Sequence, residues 1–253
     1  MKMFINLIVK LSFMLVLISL GLYEMHDMSY KAIRLARKCD VLYIENYTHF
    51  YSTPIDHLEK FLAKKIIPLE RKDVENESEK LIKEAKEKIV GLLVGGDCLS
   101  ATTHISLLLD AKKEGVETKV VHGSSIFTAI SETGLFLYNF GKTVSVPFNF
   151  KDVNSFMKLF EDNHKLGMHT LFLFDLDPKN NKFLDSREFV RYLVDLNYGD
   201  LDCVICGALG SEKAKIKYSK VKDLVDYQLN VYPQCLIIPG KMHFVEEEAL
   251  KRF

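Results

Sequence analysis

The stretch of sequence best suited to chemistry covers residues 92–104, LLVGGDCLSATTH. An apolar run ends there at two glycines, Asp97 follows at once, and a hydroxyl-rich segment leads into a predicted helix. Glycines let a ligand approach the backbone, a carboxylate accepts hydrogen bonds from ribose hydroxyls or an ammonium group, and a helix start favours an anion. The same pattern fits a tight turn with Ser100 or Thr102 as an ordinary helix cap. The residues alone leave both interpretations open.

Two other loops have a similar character. Residues 122–126, HGSSI, leave one predicted strand, and residues 239–243, PGKMH, follow another. Ligands of open α/β sheets bind at the carboxyl ends of the strands. We therefore expect the first of these loops to share a crevice with Asp97. His243 alone would be typical of a structural or solvated histidine.

Several familiar sites are excluded. No lysine follows the glycines and no GxGxxG follows the first strand, so ATP and NAD sites have little support. Cys203 and Cys206 lie three apart in a predicted strand and point to opposite faces, which argues against a zinc or redox pair. The acidic stretch from Asp175 lacks the glycine and glutamate of a calcium loop in either register. We predict no metal site.

A sheet must position these loops. From residue 14 onward, short apolar runs alternate with segments of helical period, which predicts a mostly parallel α/β sheet. The predicted strands cover residues 14–20, 41–45, 89–94, 118–122, 170–175, 202–208 and 234–238, with another from residue 144. The predicted helices cover residues 29–39, 55–65, 75–88, 103–113, 155–164 and 186–196, with a short one at the C-terminus. We expect an extension at residues 1–13 and α/β domains at residues 14–122 and 123–253.

The N-terminus allows two interpretations. Lys2 and Lys10 precede an apolar run at residues 11–22, as in a signal peptide or a signal anchor. That run is shorter than the roughly 20 residues of a spanning helix. A strand buried on both faces of a parallel sheet is equally apolar.

Composition narrows the class of protein. The chain has 253 residues, 34 basic and 34 acidic, and 48% are hydrophobic, which is enough for a substantial core. A formal net charge of +0 argues against direct nucleic-acid binding. Five thinly spread cysteines are typical of reduced, buried thiols in an intracellular protein.

Seven motifs together resemble one known family. They are LISLGLYEMHDMS at residues 17–29, ENYT at 45–48, GDxxxATTH at 96–104, HxxSI at 122–126, GLxLYxFGxTVS at 134–145, GMHTLxxxD at 167–175 and PGKMH at 239–243. They resemble, in the same order, the motifs of the diphthine synthases, a branch of the tetrapyrrole methylase-like, S-adenosylmethionine-dependent methyltransferases. The usual start of that family falls on Met14, which favours a first strand over a signal anchor.

The resemblance implies a two-domain α/β fold with S-adenosylmethionine in a cleft between the domains. It implies cofactor contacts at eight positions: Leu22, Asp97, Ser100, Ser125, Ile126, Phe174, Leu209 and His243. The implied substrate is translation elongation factor 2, on a histidine that already bears a 3-amino-3-carboxypropyl group. Its amine is methylated repeatedly on the way to diphthamide, and eukaryotic members also methylate the carboxylate. His104 and His122 are weak candidates for a proton acceptor. A cytoplasmic homodimer without membrane or nucleic-acid partners is expected.

Three positions depart from the family pattern. Ser19 stands for a glycine, Cys98 for a proline and Ala208 for an arginine. Two alternatives therefore stay open. One is a methylase of the same fold acting on a tetrapyrrole or another small molecule. The other is a non-catalytic binding protein, tethered to a membrane through residues 1–22.

Overall fold

The computed structural model describes residues 13–153 and 155–253. The predicted extension therefore lies outside the described residues, apart from Phe13. The chain divides into two compact units, one ending at Ser125 and the other running from Ile126 to Phe253. The sequence places its domain boundary after residue 122.

Unit 1 is a parallel sheet with helices on its faces. Its strands are β1 Met14–Ser19, β2 Val41–Glu45, β3 Ile66–Leu69, β4 Ile89–Val94 and β5 Glu117–Val121. Its helices are α1 Tyr30–Ala36, α2 Ile55–Leu62, α3 Arg71–Glu75, α4 Glu79–Glu84 and α5 Ile105–Lys113. The strand order is β3-β2-β4-β1-β5, and every pairing is parallel. The loops after β1, β2, β4 and β5 therefore leave the sheet at the same edge.

Strand β1 explains the apolar N-terminal run. All six of its residues are buried, and it lies between β4 and β5. Val16 and Ile18 pack into one core with α1 and α2, whereas Leu15 and Leu17 pack into the other with α4 and α5. A strand covered on both faces reads as continuously apolar, so the interpretation as a strand is confirmed. Among the described residues, no helix is both long enough and apolar enough to cross a membrane.

Unit 2 is a mixed sheet over an aromatic core. Its strands are β6 Val144–Val146, β7 Thr170–Phe174, β8 Leu176–Asp177, β9 Lys182–Phe183, β10 Asp202–Gly207, β11 Lys215–Lys220 and β12 Gln234–Ile238. Its helices are α6 Ile126–Ala129, α7 Ser155–Lys165, α8 Ser186–Asp195 and α9 Phe244–Leu250. The main sheet has the order β11-β10-β12-β7-β6, and β8 pairs with β9 separately. Phe150, Phe160, Phe172 and Phe189 are fully buried in the core.

Two predictions about these elements are wrong. In unit 2 only β6 and β7 pair in parallel, while the other three pairings of the main sheet are antiparallel. The single charged helix expected over residues 75–88 is instead two short helices, α3 and α4. Glu70 and Asp73 form a capping box that starts α3 upstream of the expected helix.

Candidate functional site

Three loops of unit 1 meet at the carboxyl edge of its sheet. After β1 and β4, Gly21 and Gly96 exchange backbone hydrogen bonds, with N···O distances of 3.2 and 2.7 Å. Both glycines have positive φ, +84° and +66°, which favours glycine. After β5, a Cβ added to Gly123 would lie 2.7 Å from the Ser19 Cβ and 3.3 Å from the Gly96 oxygen. The close approach of the three loops therefore depends on glycine.

Asp97 links two of these loops. Its Oδ1 accepts hydrogen bonds from Leu99 N–H at 3.0 Å and from the Ser100 hydroxyl at 3.2 Å. Its Oδ2 accepts from His122 Nδ1 at 2.8 Å and from Gly123 N–H at 3.1 Å. Burial alone would raise the pKa of this carboxyl, but the bonds from Leu99, His122 and Gly123 outweigh it and hold the pKa below its usual range. Asp97 is therefore an ionised group whose roughly four acceptor positions are met by donors of the chain itself.

Space for a ligand lies over Gly96 rather than over the Asp97 carboxylate. A Cβ added to Gly96 would approach no atom closer than the Ser124 oxygen, at 4.0 Å. A ligand can therefore lie directly against this backbone, as the predicted cofactor loop requires. Among the residues that the structure describes, no group of three or more His, Cys, Asp or Glu side chains is arranged to hold a metal.

The other predicted contacts of unit 1 border these loops. Leu22 directly follows Gly21 and is half-buried, and Ser125 ends the loop after β5 and is buried. His122 is 70% exposed beside Asp97. His104 is buried, and its Nδ1 faces the Thr102 hydroxyl. The structure thus brings His122 to Asp97, whereas His104 has other neighbours.

In unit 2, the sheet register separates the predicted contacts. Phe174 ends β7 and Leu209 follows β10, and both elements end beside the start of β12. His243 follows the other end of β12, where Ile238 pairs with Thr170 at the start of β7. Phe174 and Leu209 are buried, and His243 is an exposed cap of α9. Phe174 and Leu209 therefore lie beside one end of β12, and His243 follows its other end. Ile126 begins α6 at the start of the unit.

Comparisons with known proteins agree over most of the chain. The family model for tetrapyrrole (corrin/porphyrin) methylases matches residues 14–225. Diphthine synthase of Methanocaldococcus jannaschii is 40% identical, over 94% of this chain and 98% of the relative. The chain belongs to the diphthine synthase family of tetrapyrrole methylases.

Solved structures support the same membership. A crystal structure of diphthine synthase has a TM-score of 0.90 and 33% identity, and covers 95% of each chain. A putative diphthine synthase from Entamoeba histolytica has a TM-score of 0.84 and 32% identity, over 95% of this chain and 98% of that one. The predicted α/β fold class and the resemblance are therefore confirmed, and this family member is a methyltransferase.

Two departures from the family pattern are in contact in this diphthine synthase family member. The Ser19 hydroxyl accepts a hydrogen bond from Cys98 N–H at 3.0 Å, and both residues are buried. A glycine at 19 would have no hydroxyl, and a proline at 98 would have no N–H. The serine therefore supplies the acceptor for a backbone N–H that the cysteine has and a proline lacks. The third departure, Ala208, is buried with a φ of +50°, and nothing in the structure explains the change from arginine.

A buried hydrogen bond between His169 and Glu246, which sequence reasoning missed, joins three family motifs in unit 2. His169 Nδ1 accepts a hydrogen bond from Gly240 N–H at 2.8 Å, so its other nitrogen, Nε2, donates to Glu246 Oε1 at 3.0 Å. Glu246 also accepts from Phe136 N–H and His243 N–H, each at 2.7 Å. Burial alone would raise the pKa of Glu246, but these bonds lower it. Phe136, His169 and His243 each lie in a family motif, and this was the sequence signal that could have revealed the pair.

Proposed function

We propose that this protein is an S-adenosylmethionine-dependent methyltransferase of diphthamide biosynthesis. Its substrate is the 3-amino-3-carboxypropyl-histidine of translation elongation factor 2, whose amine it methylates repeatedly. The observation that carries this proposal is the match to diphthine synthases over 94% of the chain. The glycine-dependent loops around Asp97 support it, because they leave the backbone at Gly96 open to a ligand.

The proposed cofactor contacts come from loops at strand ends in both units. They are Leu22, Asp97, Ser100 and Ser125 in unit 1, and Ile126, Phe174, Leu209 and His243 in unit 2. When bound, S-adenosylmethionine supplies an electrophilic methyl group on a sulfonium. Because the Asp97 carboxylate is already occupied by four donors of the chain, its contribution is to hold the shape of the loop against which the cofactor lies.

The chain's own task is orientation and proton removal. Holding amine and methyl carbon in line supplies much of the acceleration of such a reaction. The amine must also lose a proton before each attack, since an ammonium group has no lone pair. A dry site assists because it disfavours the charged ammonium form.

Mass spectrometry tests the proposal. Elongation factor 2 bearing the 3-amino-3-carboxypropyl group is incubated with the full chain and S-adenosylmethionine, and we expect a ladder of added methyl groups. Calorimetry with S-adenosylhomocysteine is run alongside. Binding without methylation of the factor would favour a different methyl acceptor, such as a tetrapyrrole. Absence of binding would favour a non-catalytic protein. The cytoplasmic location, the homodimer and the lack of membrane and nucleic-acid partners stay predictions.

A further inference from the structure

A carboxylate and a histidine form a pair beside the loop after β4. Glu45 ends β2 with its side chain fully buried, whereas the side chain of His49 is 14% exposed. His49 Nδ1 lies 2.9 Å from Glu45 Oε1, and Thr48 N–H donates to Glu45 Oε2 at 3.2 Å. Burial alone would raise the pKa of Glu45, but the hydrogen bonds from His49 and Thr48 lower it. Glu45 is therefore an ionised carboxylate, which only accepts hydrogen bonds.

That bond determines the tautomer of His49. Because the carboxylate cannot donate, Nδ1 carries the hydrogen, and Nε2 of the neutral ring has a free lone pair. Within residues 13–153 and 155–253, Nε2 of His49 has no hydrogen-bond partner. A histidine held at Nδ1 by a carboxylate, with Nε2 free, has the orientation of a general base.

The ring of His49 lies against the proposed cofactor loop. A Cβ added to Gly95 would come within 1.8 Å of the ring carbon Cδ2 and 2.3 Å of Nε2. Glycine at this position is what allows the ring to lie there. Gly95 immediately precedes Gly96, whose backbone is open to a ligand, so the His49 ring lies one residue from the backbone against which the cofactor is proposed to lie.

We propose that His49, oriented by Glu45, accepts the proton of the substrate amine before each methyl transfer to nitrogen. This inference rests on the proposed function. In each round Nε2 takes one proton from the ammonium group, and the freed nitrogen lone pair forms the new C–N bond. The methyl C–S bond breaks with its electron pair left on sulfur, and the imidazolium releases its proton to water. His49 is then a catalytic residue, and Glu45 is a positioning residue.

The two histidines singled out from sequence suit this role less well. His104 is 3% exposed, its Nδ1 faces the Thr102 hydroxyl, and burial lowers its pKa although Glu45 and Glu75 oppose this. His122 is paired with Asp97 but is 70% exposed, so it works in water rather than in a dry site. His49 combines an oriented ring, a free Nε2 and partial burial.

The test compares variants of the full chain at several pH values. His49→Asn keeps a donor for Glu45 but cannot take a proton. We expect kcat for the first methylation to fall by about 10²–10⁴-fold, with KM and S-adenosylhomocysteine binding unchanged. The deficit should shrink as the pH rises, because the amine then loses its proton to solvent unaided. His57→Asn, on the exposed face of α2, is the matched control and should behave as the unaltered chain.

A second measurement does not depend on turnover. In Glu45→Gln, the ring-nitrogen NMR signals of His49 should no longer show the Nδ1–H tautomer alone, because an amide can donate to Nδ1 as well as accept from it. An unchanged tautomer of the His49 ring would overturn the role of Glu45. A His49→Asn enzyme with the unaltered rate and pH profile would overturn the role of His49. The same would follow if only His122→Asn showed the pH-dependent loss. If the unaltered chain adds no methyl group to the factor, the proposed function fails instead.

Discussion

Ser19 and Cys98 should behave as one energetic unit, since the hydroxyl of one accepts the backbone N–H of the other at 3.0 Å. Ser19→Gly leaves that buried N–H unpaired, which costs about 1–3 kcal/mol. The added glycine in a strand costs a further ~0.5–1 kcal/mol. Ser19→Ala removes the hydroxyl without adding a glycine, so its loss of stability reports the unpaired N–H alone.

The reciprocal change is Cys98→Pro. It removes the N–H and leaves the buried Ser19 hydroxyl without its donor, which again costs about 1–3 kcal/mol. In the double variant neither group remains, so no donor is left unpaired. We expect the double variant to lose less than the sum of the single losses, by about 1–2 kcal/mol, within the range of contacting pairs.

The coupling is measured by urea unfolding at pH 7, extrapolated linearly to zero denaturant. The four proteins of the cycle are the unaltered chain, Ser19→Gly, Cys98→Pro and the double variant. Strictly additive losses would refute the reasoning, because they would mean that the bond between Ser19 and Cys98 contributes nothing specific. A coupling of opposite sign would refute it equally.

Three other predictions follow from the same loops. Gly95→Ala should destabilise the protein by about 1–3 kcal/mol, because the added methyl group overpacks against the His49 ring. The loss should be clearly smaller in a His49→Ala background, and thermal unfolding of the double-mutant cycle measures both losses. Equal losses in the two backgrounds would contradict the contact. The lowered pKa of Asp97 gives a stabilisation that is present above the unfolded pKa of about 3.9 and is lost as the pH falls through the folded value. The difference in unfolding free energy between the unaltered chain and Asp97→Asn should therefore shrink below about pH 4, and a constant difference in urea titrations would contradict this. Ala101→Gly should stabilise by about 0.5–1 kcal/mol, because Ala101 is exposed with a φ of +58°; a lower urea midpoint would contradict it.

The sequence was most informative for strands covered on both faces. Strands β1 and β4 are uninterrupted apolar runs, and their predicted bounds match to within a residue. Strands β3 and β11 lie at the edges of their sheets and were missed because their residues do not form an apolar run. Strand β3 contains Pro68, and β11 carries a lysine at every second or third position, which hides the strand signal.

The residues of the candidate site that could be predicted from the sequence are those that are close together in the chain. Asp97 and its glycines were found because they are adjacent in the chain and follow one strand. The contact between His49 and Gly95 was not found, since it depends on β2 lying beside β4 in the sheet order. Local spacing carries no information about which strands are neighbours.

Two of the carboxylate–histidine pairs in unit 1, Asp97–His122 and Glu45–His49, have different roles, because only in the second is a covered ring nitrogen left free. Asp97 binds two loops through four donors, and its histidine is mostly exposed. Removing Asp97 should therefore loosen the loop and weaken cofactor binding. Glu45 holds a histidine whose Nε2 is free and whose ring is mostly covered. Removing the Glu45 charge should leave cofactor binding intact and lower the rate, because only the orientation and tautomer of His49 change.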